Sequence, residues 1–260
     1  MVKLLALLRL PLGAGFGSIP DMPHRIMNVK EVATYLHVAP ARIEELMKQR
    51  DIPFQKQGER FAFRQAEIDA WASQRILKFS APNLADYHSQ SSAKVKEFAT
   101  DAAMMPQLLT LDRLNCGLAA KTRSSTIRAM VAMAVATDLV SDGTELLTLI
   151  EERESLCSTA LPGGWAILHP RHHDPYMFSE SFLVVGRTIQ PIHFGAQDGL
   201  PTDVFFLLCC QDDRLHLHTI ARLCTLCMET KILENLRLSH SEQEMMGVIL
   251  ESEQEIVRRL

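Results

Sequence analysis

Patterned sequence begins at Asn28. Behind it, Val29, Val32, Ala33 and Leu36 recur at helical spacing, and asparagine suits the cap of a helix N-terminus. After the break HVAP, a second helix is expected from Pro40, whose fixed φ fits a first turn, with Ile43, Leu46 and Met47 facing inward. The segment DIPFQKQGERFAF reads as a hairpin turning at Gly58, and a third helix carries Ile68 and Trp71. Helix, tight turn, helix, ribbon, helix is the order of a small winged helix-turn-helix unit.

Periodicity then fades. Residues 77–104 (KFSAPNLADYHSQSSAKVKEFATDAAMM) are polar and serine-bearing, as a linker would be. Beyond them, LLTLDRLNCGLAAKTRSSTIRAMVAMAVATDLV predicts a strand-like lead-in and a helix capped at Ser125. SDGTELLTLIEERE predicts a helix ending at Arg153-Glu154, and SLCSTALPGG a loop. WAILHPR reads as a short strand entering a polar turn, SFLVVGR as another strand, and TDVFFLLCC as one buried on both faces. QDDRLHLHTIARLCTLCME reads as a helix with Asp212 and Asp213 at its start. Strands mixed with such helices predict an α/β fold, a mixed sheet flanked by helices. The expected organisation is a leader or an early-assigned start over 1–26, the winged unit over 27–76, the linker over 77–104, and the α/β domain over 105–258.

Composition narrows the classes. With 260 residues, 47% hydrophobic and 22% charged, the chain can bury a real core. A net charge of −4 excludes a uniformly basic nucleic-acid binder, though not a small DNA-reading module. No uninterrupted apolar run reaches the length of a membrane span, about 18 residues. The opening MVKLLALLRLPLGAGFGSIPD has the tint of a signal peptide, but Arg9 breaks its apolar stretch. Six cysteines are present, none in the first 115 residues. Cys224 and Cys227 form a CxxC inside a helical pattern rather than on a turn, and Cys209 and Cys210 end an apolar run. Reduced thiols in a cytoplasmic protein, with no metal and no cofactor, are therefore expected.

The first zone, MNVKEVATYLHVAPARIEELMKQRDIPFQKQGERFAFRQAEIDAW, resembles the excisionase-type, MerR-like helix-turn-helix module. The resemblance rests on the Val-x-Glu-x-Ala-x-x-Leu opening, Ile52-Pro53, Gly58, Phe61, Phe63 and the closing Ile-Asp-Ala-Trp. Arg50 stands where that family usually has glycine. DNA is the partner so implied, through Arg42, Lys48 and Arg50 on or beside the second helix and Lys56, Arg60 and Arg64 on the wing. Over residues 27–75, eight cations against seven acids leave only +1. So weak a phosphate-binding charge calls for a homodimer on a two-part site, and leaves open a protein-contact module on the same fold.

The second zone contains GGWAILHPRHHDP, which crowds three histidines, an arginine and an aspartate behind an apolar strand. His172, His173 and Asp174 read as a solvated loop, with a transition-metal site alongside His169 as the alternative. His193 reads as a surface residue. In order along the chain, Arg153-Glu154, Ser158-Thr159, Gly164-Trp-Ala-Ile-Leu-His169-Pro-Arg171, IQPIHFGAQDGLPTDVFFLL and LHLHTIARL resemble the type-2 IIA domain of the phosphoenolpyruvate-dependent phosphotransferase system, in its fructose/mannitol and nitrogen-regulatory class. Leu168-His169-Pro170 inverts that family's Pro-His order.

The resemblance implies a phosphoryl carrier rather than a turnover enzyme. His169 would be the phospho-acceptor, His216 the second histidine of the site, and Arg153 the phosphate-neutralising group, with Thr159 and Arg171 as further phosphate contacts. The donor would be an HPr-like phosphocarrier protein. The chemistry suits the residues: an imidazole, with a reference pKa of about 6.5, is a nitrogen nucleophile near neutrality. Phosphoryl transfer asks mainly for alignment and cations around the equatorial oxygens. The joint expectation is a cytoplasmic regulator whose phosphoryl state controls DNA binding. The rival expectation is an unphosphorylated, IIA-like interaction protein contacting a kinase or transporter, with the first module as adaptor.

Overall fold

The computed structural model describes residues 26–36, 38–58, 60–76, 103–170 and 176–259. The expectations for 1–25, for 77–102 and for Arg171, His172, His173 and Asp174 lie outside the described residues.

In α1 (Val29–Tyr35), Asn28 accepts the backbone N–H groups of Lys30 and Glu31 while Glu31 returns to the Asn28 N–H, a complete capping box. The helix α2 (Pro40–Lys48) buries Ile43, Leu46 and Met47. It closes in a Schellman turn: the Asp51 N–H donates to the Leu46 carbonyl and the Arg50 N–H to that of Met47, with Arg50 at φ 55°. That left-handed backbone is why glycine is the easy residue there. The strands β1 (Ile26–Met27), β2 (Gln55–Gln57) and β3 (Arg60–Arg64) pair antiparallel in the order β1-β3-β2, with Gly58 at φ 63° in the wing turn. In α3 (Gln65–Ile76), Ile68 is buried, the Trp71 indole donates to the Asp51 carbonyl, and Arg75 pairs with the Asp51 carboxylate.

The second unit follows as α4 (Met105–Leu108), β4 (Leu114–Leu118), α5 (Arg123–Val135), α6 (Gly143–Leu156), β5 (Ala160–Leu161), β6 (Trp165–Leu168), β7 (Phe182–Ile192), β8 (Thr202–Cys209), α7 (Asp213–Glu229), α8 (Ile232–Leu238) and α9 (Glu242–Val257). The five strands order as β4-β7-β8-β6-β5. β6 runs parallel to β8 and β4 parallel to β7, while β7 against β8 and β5 against β6 are antiparallel. The sheet is thus mixed and flanked by helices, the expected fold class.

Alternation of side chains divides the core. Trp165, Ile167, Val185, Val204, Phe206 and Leu208 point to one face, in a cluster with α7, α8, α9 and the helix-turn-helix core. Ala166, Leu168, Val184, Phe205, Leu207 and Cys209 point to the other, with α5 and α6. Both faces being dry, the central strands are apolar throughout. Three local expectations shift. The cap of α5 is Thr122, not Ser125, which instead sits at the third helical position of a capping box, its hydroxyl accepting the Thr122 N–H. α6 continues two residues past Glu154 to Leu156, and β7 extends from SFLVVGR to Ile192. Cys209, Cys210, Cys224 and Cys227 are buried; burial raises the Cys209 and Cys227 thiols and pushes that of Cys224 up to about 12, so these three stay protonated packing groups.

Candidate functional site

His169 lies one residue past the C-terminal end of β6. By strand parity it continues the face of Trp165 and Ile167, beneath α7. Parallel strands of open α/β sheets present ligand sites at these carboxyl ends. The His169 ring is buried and held at both nitrogens. Arg153, near the end of α6, places its Nε 3.0 Å from His169 Nε2, and His169 Nδ1 lies 3.0 Å from the Ile167 carbonyl oxygen. A guanidinium can only donate, so Nε2 is the acceptor and the ring proton sits on Nδ1, donated to Ile167. The unprotonated, nucleophilic nitrogen is therefore Nε2.

Arg153 is itself 1% exposed. Its Nη1 is anchored on the Cys157 carbonyl at 3.1 Å. Nε and Nη2 form the opposite edge of the fork, and Nη2 is buried without a hydrogen-bond partner among the described residues. One donor of that edge already addresses His169 Nε2; the second stands beside it, ready for an anion bonded there. His216 completes the pocket. It occupies the first turn of α7, its N–H bonded to the Asp212 carbonyl, and its ring centroid is 5.0 Å from that of His169 at an interplanar angle of 58°. The Asp212 carboxylate takes the Leu215 N–H, so this helix start is partly capped by the protein's own acid.

Thr159 is buried near the same end of the sheet, but its hydroxyl donates to Glu154 at 2.7 Å and its N–H to the same carboxylate at 3.0 Å. Glu154 also takes Arg123 Nη2 at 2.9 Å, and Arg123 lies over the Phe194 ring. Glu154 and Arg123 are thus the groups that pin the loop between Arg153 and β5. Sequence reasoning missed both roles. The adjacent acid in Arg153-Glu154 was the one signal for the first, and a residue 31 positions away gave none for the second. Arg171 lies outside the described residues, His193 is exposed, and His218, two residues on from His216, is buried on α7.

The six cations expected at a DNA interface all occupy exposed positions, on or just after α2 and on the β2–β3 wing. Two already have acidic partners: Arg42 pairs with Glu45, and Arg64 lies 3.7 Å from Glu67.

A two-histidine, one-arginine pocket at the end of a mixed five-stranded sheet, following a helix-turn-helix unit, defines the class. Residues 107–252 match the family model of the phosphoenolpyruvate-dependent sugar phosphotransferase system, EIIA 2, and the chain belongs to that family. Residues 26–76 match a helix-turn-helix domain. The nitrogen regulatory protein of Escherichia coli is 30% identical over 103 residues, covering 39% of this chain and 62% of that protein. The fructose-specific EIIABC component of Bacillus subtilis is 26% identical over 145 residues, covering 55% of this chain and 22% of that protein. The chain thus spans less than two thirds of the length of these relatives. Among solved structures, nitrogen regulatory protein IIA-Ntr of Neisseria meningitidis aligns with 56% of this chain and 99% of its own at 21% identity and a TM-score of 0.49. Among the described residues, no helix is long and apolar enough to cross a membrane.

Proposed function

We propose that this protein accepts a phosphoryl group on His169 Nε2 from an HPr-like phosphocarrier and that the added charge controls DNA binding by its N-terminal module. The observation that carries the reading is the Arg153–His169 contact: a tautomer-fixed imidazole whose Nε2 accepts from the edge of a buried guanidinium fork. In the transfer, the Nε2 lone pair gives up the Arg153 Nε–H and attacks the phosphorus of the donor phosphohistidine, the donor P–N bond breaks, and the electron pair returns to the donor imidazole. Arg153 Nε and Nη2 bind equatorial oxygens, and His216 borders the incoming group. Thr159 acts through the Glu154-held loop, and Arg171, two residues beyond His169 in sequence, is proposed as a further phosphate contact. The protein works in the cytoplasm, where phosphoenolpyruvate and phosphocarrier are available. The winged unit, the segment between the two family matches and the α/β domain act as reader, tether and receiver.

The test uses the full chain with labelled phosphoenolpyruvate and the general phosphotransfer proteins. Acid-labile label is expected on the wild type and absent from His169→Ala. No label on the wild type, or equal label on both, overturns the assignment. For the second half, four exposed cations with no acidic partner among the described residues (Lys48, Arg50, Lys56 and Arg60) imply a salt slope of about −4 per bound module. Fluorescence anisotropy on genomic fragments reads it, and binding that ignores salt or phosphorylation refutes the coupling.

The adaptor reading has one observation in its favour. Val29, Met47, Phe54 and Phe61 line an open groove beside α2, flanked by Glu44 and Lys48, and Phe61 is more than a third exposed. A module that meets protein rather than DNA through this groove shows no salt-sensitive retention of any fragment.

A further inference from the structure

An outer helix on a sheet normally keeps one face wet. In α7, every residue from His216 to Cys227 is buried. By helical spacing, His216, Ile220, Leu223 and Cys227 form the stripe toward the sheet, which puts His218, Ala221, Arg222 and Thr225 on the opposite side. Three of these four residues are polar, yet none is more than 8% exposed. Something covers it.

Besides the sheet, α3, α8 and α9 all pack on α7. α3 is the last helix of the helix-turn-helix unit. The apolar residues of that unit, Val32, Leu46, Phe63 and Ile68, run without a break into the cluster that holds Leu217, Ile220 and Cys224. The chain is also fastened where the second unit begins. Glu253 of α9, fully buried, accepts the N–H groups of Met104 and Met105, each at 2.9 Å. Arg222 of α7, 1% exposed, favours the Glu253 carboxylate against the burial that opposes it. The chain therefore leaves the first unit from a helix packed on α7 and enters the second at a clasp that Arg222 supports. The six exposed cations of α2 and the wing stay outward in this arrangement.

We propose that the outer face of α7 is the seat of the helix-turn-helix module and that seating is coupled to the phosphoryl state of the pocket. The second half rests on the phosphoryl reading above; the first does not. A phosphoryl group brings about −1.5 to −2 charges to the first turn of α7, beside His216. Close-packed elements respond to such a change by shifting between discrete arrangements rather than by deforming smoothly. A shift of α7 moves the seat. Linkage makes the effect reciprocal: whatever releases the module changes how readily the pocket takes phosphate.

Hydrogen exchange on the full chain separates the two halves. Thr225→Arg puts a long cation into the covered face, away from the pocket. It is expected to speed exchange of the Gln65–Ile76 amides by about tenfold or more while β8 amides keep their protection. If β8 also opens, Thr225→Gln is read in the same way. Unchanged exchange over Gln65–Ile76 in a variant whose β8 stays protected overturns the seat. In the wild type, phosphorylation is expected to change exchange of both α3 and α7, and the Thr225 variant is expected to label at a different rate. Label that appears on His169 with α3 and α7 exchange unmoved overturns the coupling and leaves the phosphoryl reading intact. No label at all removes the phosphoryl reading and the coupling together, while the variant still reports on the seat.

Discussion

Replacing Arg153 by lysine keeps the charge and removes the fork. In the native pocket, Nη1 anchors the side chain on the Cys157 carbonyl while the Nε–Nη2 edge addresses His169 Nε2. A lysine amine carries its charge at one point and can meet only one of the two directions that edge covers. The loss is therefore about one charge-assisted hydrogen bond to a phosphoryl oxygen, roughly 1.5–3 kcal/mol. At about 1.4 kcal/mol per factor of ten, labelling from the phosphocarrier falls about 10- to 100-fold. The assay is single-turnover transfer at saturating phosphocarrier, so that docking is held constant and the chemical step is read. Arg153→Lys that labels at the native rate refutes the reasoning, because the fork would then be incidental. So would a loss that disappears at higher phosphocarrier, which would make Arg153 a docking residue.

Other perturbations have equally definite signs. Glu154→Gln leaves one acceptor where Thr159 and Arg123 now share a carboxylate, at a cost of about 2 kcal/mol. For a domain of this size a melt should record that as a fall of about 4–8 °C, and an unchanged midpoint denies the network any role. Arg50→Gly relieves a side chain held at φ 55° and is expected to stabilise the first unit by about 0.5–1 kcal/mol in urea. The same change removes a cation and should flatten the DNA salt slope by about one; a lower urea midpoint refutes the strain. For Glu253, burial raises the carboxyl above its ordinary value. The stability it contributes is thus fully present below the unfolded value and lost as pH rises through the folded one. Relative to Glu253→Gln, the wild type should lose ground as pH rises above the ordinary glutamate value of about 4.3 in urea titrations, and a difference that is flat or grows with pH contradicts the burial effect.

How much of this was legible in the residues depends on the range of the interaction. The cap at Asn28, the turn at Gly58 and the first-turn Pro40 are local chemistry, and the chain adopts them as its spacing predicts. The run VFFLLCC reads as a fully buried strand because both its faces are apolar, and WAIL as a short strand; the helices on both sides of the sheet bury both. Ser125 misled because a hydroxyl three residues into a helix carries the same signature as one at its cap, and only the Thr122 geometry separates them. The Arg153–His169 contact joins a helix to a strand end 16 residues away, and resemblance rather than periodicity pointed to it.

The outer face of α7 is what helical spacing alone does not settle. His218, Arg222 and Thr225 fall together on the side away from the sheet, where water is the default neighbour. α3, contributed by a segment some 150 positions earlier, packs on this helix together with α8 and α9, and a carboxylate on α9 holds the incoming backbone. A polar stripe that is buried must be matched by its cover, because an unmatched one would cost more than it contributes. That requirement separates a module joined to its neighbour by a tether from one built into it. It is also why the face of α7 opposite His216 is where a signal from the pocket would meet the helix-turn-helix module.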